Sequence, residues 1–135
     1  RLHSKILNKA KENNSSNLIK LAKKDDWGRE FLDLEISIKS VKSVEEAISH
    51  IDKFSFGHTD GIISKIDKNI NKFVQSVNSS AVTVNASTRF NDGGEIGLGS
   101  EIAISTTKVS PRGPFGLEEI TTYTWVIEGN GHIRN

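Results

Sequence analysis

Ser87-Thr88-Arg89 is the first grouping whose residue types suit a chemical task. It follows directly on the β-branched run Ala81-Val82-Thr83-Val84-Asn85, which reads as a strand. In parallel sheets, ligands sit beyond the carboxyl ends of strands. Two hydroxyls and a guanidinium there suit a carboxylate or a phosphate. The plainer alternative is that Arg89 pairs with Asp92 and ties the loop down. The next grouping, Asp92-Gly93-Gly94-Glu95-Ile96-Gly97-Leu98-Gly99, is glycine-rich enough for backbone amides to approach an anion. No third glycine follows at 102 and no Lys-Ser/Thr pair completes a P-loop, so a structural turn is the competing reading. Glu30 stands just before a strand-like run and offers a carboxylate for ribose hydroxyls, or is a plain surface residue. His58, after Gly57, offers a general acid or an anion donor, or is a satisfied loop histidine.

Other chemistries are excluded by composition. The 135 residues include no cysteine, so this chain supplies no disulfide, thiolate metal ligand or thiol nucleophile. The four histidines (3, 50, 58 and 132) have no metal-ligand spacing, and no Ser-His-Asp set is legible. Net charge is +1, which makes no general case for nucleic acid. The charge is uneven: residues 1–24 hold seven Lys/Arg against one Glu, and residues 25–135 hold eleven against sixteen Asp/Glu. A basic end of that kind is a solvated helix or a phosphate-touching surface. No apolar run reaches the roughly 18 residues of a transmembrane helix, and the first residues lack a secretory apolar core.

The elements that must position these groups can be read from periodicity. Leu2, Ile6, Leu7 and Ala10 recur at near-helical spacing, and Leu18, Ile19, Leu21 and Ala22 predict a second short helical turn. From Phe31 to Val41 the pattern becomes period two: Leu32, Leu34, Ile36 and Ile38 alternate with Asp33, Glu35, Ser37 and Lys39, which predicts a strand. Ser43-Val44-Glu45-Glu46 is a capping box opening a helix with Ala47, Ile48 and Ile51 on its apolar face. Gly61-Ile62-Ile63-Ser64 predicts a strand, and Asp67 predicts the cap of a helix over 68–77. Strand, helix, strand, helix, strand is the pattern of a largely parallel α/β sheet. Eight of the eleven glycines fall between Gly93 and Gly131, where loops dominate. Pro111-Arg112-Gly113-Pro114 reads as a loop, Thr121 to Ile127 as a strand, and Asn130-Gly131 as a type I′ turn. A terminal strand with few local partners tends to pair elsewhere, including with another subunit.

One long stretch is distinctive. Val84-Asn85-Ala86-Ser87-Thr88-Arg89-Phe90-Asn91-Asp92-Gly93-Gly94-Glu95-Ile96-Gly97-Leu98-Gly99-Ser100-Glu101 closely resembles the signature of the gamma-glutamyl phosphate reductases, members of the aldehyde dehydrogenase superfamily. The likeness continues through Ile104-Ser105-Thr106, Arg112-Gly113-Pro114, Gly116-Leu117-Glu118-Glu119 and Thr121-Thr122-Tyr123, to Gly129-Asn130-Gly131-His132-Ile133-Arg134. Upstream, Glu30-Phe31-Leu32-Asp33-Leu34, Glu45-Glu46-Ala47-Ile48-Ser49-His50-Ile51 and Gly57-His58-Thr59-Asp60 keep the family's order. Residues 1–26 match poorly, and Phe56 stands where the family usually has a small residue.

The resemblance implies a reaction: reduction of gamma-glutamyl phosphate with NADPH to glutamate 5-semialdehyde in proline biosynthesis, through a cysteine thiolate. It implies that Glu30 holds the nicotinamide ribose of NADP and that Leu32 lies near the nicotinamide face. It implies that Ser87, Thr88 and Arg89 anchor the glutamyl carboxylate, that Asp92 meets the amino group, and that His58 is a further substrate contact. The family's cysteine and nucleotide-binding half precede the matched region. The expectation is therefore a C-terminal piece of a cytoplasmic reductase, inactive alone: residues 1–119 as the end of an aldehyde dehydrogenase-like catalytic domain, residues 120–135 as an oligomerisation strand and tail. Its implied partners are the rest of the same enzyme, a second copy through residues 120–134, and the small-molecule substrate, with neither nucleic acid nor membrane. The alternative is a stand-alone, non-catalytic paralogue that binds a glutamate-like ligand or pairs with a full-length reductase.

Overall fold

The architecture was taken from a computed structural model, which describes residues 19–134. Ser43 starts the first helix, α1 (Val44–Phe54), as a capping residue: its hydroxyl accepts the Glu46 amide at 3.3 Å. The Glu46 carboxylate reaches back one residue further than in the usual box, accepting the Lys42 amide at 2.9 Å. Strand β1 (Thr59–Ile62) follows, then helix α2 (Asp67–Ser76), then strand β2 (Ala81–Val84). The strands are parallel and in register from Thr59 opposite Ala81 to Ile62 opposite Val84. Parallel neighbours need a crossover, and α2 is that crossover. The expected α/β unit with a small parallel sheet and flanking helices is therefore present.

Phe73 of α2 is the one buried apolar side chain among the described residues, at 3% exposure. It belongs to the apolar face that the spacing of Ile70, Phe73, Val74 and Val77 predicts, although Val74 is itself exposed. Helices α1 and α2 pack together, and Lys72 bonds Glu45 across that contact. Gly61 is a close-approach position, since a Cβ there would lie 2.5 Å from the Thr83 hydroxyl on the neighbouring strand. A second, antiparallel pair joins β3 (Ala103–Ser105) to β4 (Gly113–Phe115), and the short helix α3 (Leu117–Ile120) packs on β4.

Several sequence expectations are corrected. The strand over 31–41 does not form, apart from a single-residue bridge at Ile38. Leu32 adopts φ 53, the Asp33 carboxylate accepts the Leu34 amide at 2.7 Å, and Glu35 N bonds Asp33 O at 2.8 Å. A left-handed residue followed by a tight turn breaks the alternation that a strand requires. Leu34 is left fully exposed, at 106%. Residues 19–22 are not helical, and the helix expected over residues 2–10 lies outside the described residues. Strand β1 begins two residues earlier than its apolar pattern, because Thr59 and Asp60 find partners on β2. Asp67 is the first helical residue of α2 rather than its cap, which is Ile66. Gly113 and Pro114 belong to β4, not to a loop. Residues 121–134 form no strand among themselves, and Ile127 is 93% exposed. An extended segment needs a ladder for its N–H and C=O groups, and no described strand lies alongside it. Asn130-Gly131 is a bend, not a type I′ turn, because only Gly131 has positive φ.

With so little apolar surface buried, ordering of the chain is weakly offset. Amide exchange on the isolated chain should show protection confined to α1, β1, α2 and β2, with 121–134 exchanging at unprotected rates. Uniform protection across 31–41 and 121–134 would contradict this fold.

Candidate functional site

The carboxyl end of β2 builds the first part of the site. Asn85 sits at φ 52, a conformation that Asn tolerates better than most residues. Its side chain clasps the chain beyond β1: Oδ1 accepts Ser64 N at 2.8 Å and Nδ2 donates to Ser64 O at 3.0 Å. The backbone then enters a single 3-10 turn, Thr88–Phe90, capped by Ser87, whose hydroxyl accepts Arg89 N at 3.2 Å. Thr88 sits over β1, with its methyl 3.3 Å from where a Gly61 Cβ would be. Among the described residues the Arg89 guanidinium forms no ion pair, so the alternative tie to Asp92 is absent. Ser87, Thr88 and Arg89 are exposed at the strand end, as the sequence predicts.

Asp92 does something else. Its Oδ1 accepts Gly94 N at 2.8 Å and Glu95 N at 3.1 Å. Gly93 N donates to Glu101 at 2.8 Å, Ile96 N to Asp92 O, Gly97 N to Gly94 O, and Leu98 N to Gly93 O. Every amide from Gly93 to Leu98 is thus consumed inside the loop. A phosphate cradle needs free amides, so this loop is a structural turn.

His58 and Glu30 line one open cleft of about 780 Å³, with Gly28, Phe54, Ser55 and Thr106. Leu32, expected beside Glu30, is 87% exposed and is not among the residues lining it. Ser87, Thr88, Arg89 and Asp92 lie outside it as well. His58 Nδ1 is 2.6 Å from the Thr59 hydroxyl, which also accepts Asn91 Nδ2 at 2.7 Å. Asp60 anchors the same region, its Oδ2 accepting the hydroxyls of Ser55, at 3.0 Å, and Ser79.

Sequence reasoning missed a cluster around His50, which lines this cleft and, with Trp27 and Lys39, a neighbouring one. His50 lies edge-on to Trp27 at 5.1 Å between ring centroids and tilted against Phe54 at 4.7 Å. Lys39 Nζ is 3.4 Å from its Nδ1. The helical spacing of His50 and Phe54 was the available signal, while Trp27 and Lys39 arrive by folding alone. Burial lowers the His50 pKa from its ordinary value, Lys39 and Lys53 lower it further, and Glu46 opposes them. On the opposite face of α1, the hydrogen bond from Lys72 holds the Glu45 carboxyl at about 2.

The site is thus a guanidinium without an ion pair on a capped turn at a strand end of an α/β unit, next to a cleft lined by a carboxylate and an imidazole. No family model matches the chain. Its relatives are nonetheless specific. A gamma-glutamyl phosphate reductase of Clostridium beijerinckii is 55% identical over 118 residues, which is 87% of this chain and 28% of that protein. One of Caldanaerobacter subterraneus is 52% identical over 116 residues, 86% of this chain and 28% of that protein. The crystal structure of the reductase from Thermotoga maritima superposes with a TM-score of 0.84 at 46% identity, covering 100% of this chain and 31% of that one. The Saccharomyces cerevisiae reductase gives a TM-score of 0.52 at 34% identity, over 73% of this chain and 25% of that one. By sequence and by fold, this chain is a relative of the gamma-glutamyl phosphate reductases, and it spans 28% of the length of the curated relatives it matches.

The lowered His50 pKa makes stability depend on pH. The unfolded chain binds the proton more readily, so the contribution is complete above about 6.5 and is lost as pH falls through the lower folded value. Far-UV helicity should therefore decline between pH 7 and pH 5, and His50→Leu should flatten that decline. An unchanged profile in His50→Leu would remove His50 as its cause.

Proposed function

We propose that this chain is the C-terminal segment of an NADPH-dependent, cytoplasmic gamma-glutamyl phosphate reductase of aldehyde dehydrogenase-like fold, acting in proline biosynthesis. The observation that carries the reading is 52–55% identity to proteins of that name, spread over 87% of the chain. The site is consistent with it. An unpaired guanidinium beside two hydroxyls matches a carboxylate in charge and geometry. In this reading Ser87, Thr88 and Arg89 hold the glutamyl carboxylate of gamma-glutamyl phosphate, and Asp92 shapes the turn, with its second carboxylate oxygen left to meet the amino group. His58 offers an imidazole donor to the same anionic substrate.

The residues present fit the nicotinamide end of a dinucleotide and no more. Glu30 is an exposed carboxylate suited to two ribose hydroxyls, and Leu32 presents an exposed apolar side chain two residues on. Nothing among the described residues cradles a pyrophosphate, because the glycine-loop amides are already bonded. NADPH would supply the hydride. The thiolate that displaces phosphate must come from elsewhere in the enzyme, since this chain has no cysteine. It follows that residues 1–119 act as the end of the catalytic domain and are inactive without its remainder. Residues 120–135, with exposed Tyr123, Trp125, Val126 and Ile127, suit a strand that pairs with a second copy in a homo-oligomer.

The test is kinetic, on the whole reductase polypeptide that carries this chain, run in reverse with semialdehyde, phosphate and NADP. Arg89→Ala should raise the KM for the semialdehyde by roughly 10- to 100-fold, the loss expected for a charged hydrogen-bond pair, with the KM for NADP unchanged. Glu30→Gln should do the opposite. A reversed pattern would assign the two residues to the wrong ligands.

A further inference from the structure

Two side chains between the anchoring turn and the cleft remain without a role. Asn91 closes the turn that carries Arg89, its backbone N–H bonding Thr88 O at 3.2 Å. Its side chain leaves the turn and donates to the Thr59 hydroxyl on β1 at 2.7 Å, partly buried. The same hydroxyl lies 2.6 Å from His58 Nδ1. An amide N–H₂ is only a donor, so Thr59 Oγ1 accepts from Asn91. The hydroxyl proton is then free to go to His58 Nδ1, and in the tautomer that accepts it Nε2–H is left as the ring's donor. Two hydrogen bonds therefore join the guanidinium turn to the imidazole through one threonine.

The seat of the turn on β1 is matched in shape as well. Gly61, two residues after Thr59 and so on the same face of the strand, leaves room for the Thr88 methyl. The turn is thus held to β1 at two points, a packing contact at Thr88 and a hydrogen bond at Asn91.

We infer that Thr59 and Asn91 are positioning residues for the anionic substrate. They lock the Ser87–Arg89 turn to β1 and hold His58 as an Nε2–H donor, so that guanidinium and imidazole meet the ligand in one fixed frame. Neither residue touches a reacting atom. The identity of the ligand rests on the function proposed above, while the coupling between the two residues does not.

The experiment is a double-mutant cycle in the whole reductase polypeptide, in the reverse assay. Thr59→Val keeps the shape and removes the hydroxyl, Thr59→Ser keeps the hydroxyl, and Asn91→Ala removes the amide. Thr59→Val and Asn91→Ala should each raise the KM for the semialdehyde roughly tenfold, about one positioned hydrogen bond, with the KM for NADP unmoved. Thr59→Ser should restore the wild-type value. The double variant should be little worse than either single one, because both break the same link. Additive effects, or a Thr59→Ser variant as impaired as Thr59→Val, would overturn the positioning role. Arg89→Ala separates this from the function itself: if it leaves the semialdehyde KM unchanged, the substrate assignment fails, whatever the cycle shows.

Discussion

Four-residue parallel strands cannot be joined by a tight turn, and that constraint organises the molecule. Strands β1 and β2 come into register only because α2 carries the chain from the end of one back to the start of the other. Phe73 is the side chain that holds the crossover down. Gly61 lets the pair close, since any Cβ there would meet the Thr83 hydroxyl at 2.5 Å. The Ser87–Arg89 turn, the Asn85 clasp and the cleft all take their positions from this one unit.

Around it, polar side chains do the work that a larger apolar core does elsewhere. Asp60 gathers the hydroxyls of Ser55 and Ser79, and Ser80 bonds the His58 carbonyl at 2.6 Å. Arg112 reaches from the start of β4 to the Asn78 carbonyl at 2.9 Å, joining the second strand pair to the first. Such bonds fix orientation at a modest net gain each. They suit a segment whose task is to present a few groups in a set geometry.

The apolar residues tell a complementary story. Leu34, Ile36, Ile63 and Ile66 are exposed around the strand pair, and Tyr123 to Ile127 are exposed along the tail. Singly exposed apolar side chains need no explanation, but so many in one chain suit surfaces that another part of a protein covers. The relatives are more than three times as long as the region matched, at 28% coverage. In the proposed enzyme their remaining length would be the source of cover, and in the proposed homo-oligomer a second copy would cover the tail.

Local signals were enough for α1, α2 and β2. A capping serine, an apolar helical stripe and a β-branched run are properties of neighbouring residues, and all three elements appear within a residue or so of their patterns. The exposed Ser87-Thr88-Arg89 turn was legible for the same reason, since a strand end and its following residues are contiguous. The Phe31 to Val41 run and the tail carried equally clear strand patterns, yet neither became a strand. A strand is completed by hydrogen bonds from a neighbour, and a period of two does not say whether that neighbour exists. Of the two readings of the glycine loop, the structural turn is the one that holds: the missing P-loop residues already pointed to it, and folding shows that Asp92 and Glu101 take amides a cradle would need. The link from Asn91 through Thr59 to His58 spans 32 residues of sequence, and no spacing rule joins them. Neighbouring residues alone settled α1, α2, β2 and the groups that stand at the end of β2. The tertiary structure decided which groups share a partner, because that depends on distances set by the β1–β2 crossover and not by order along the chain.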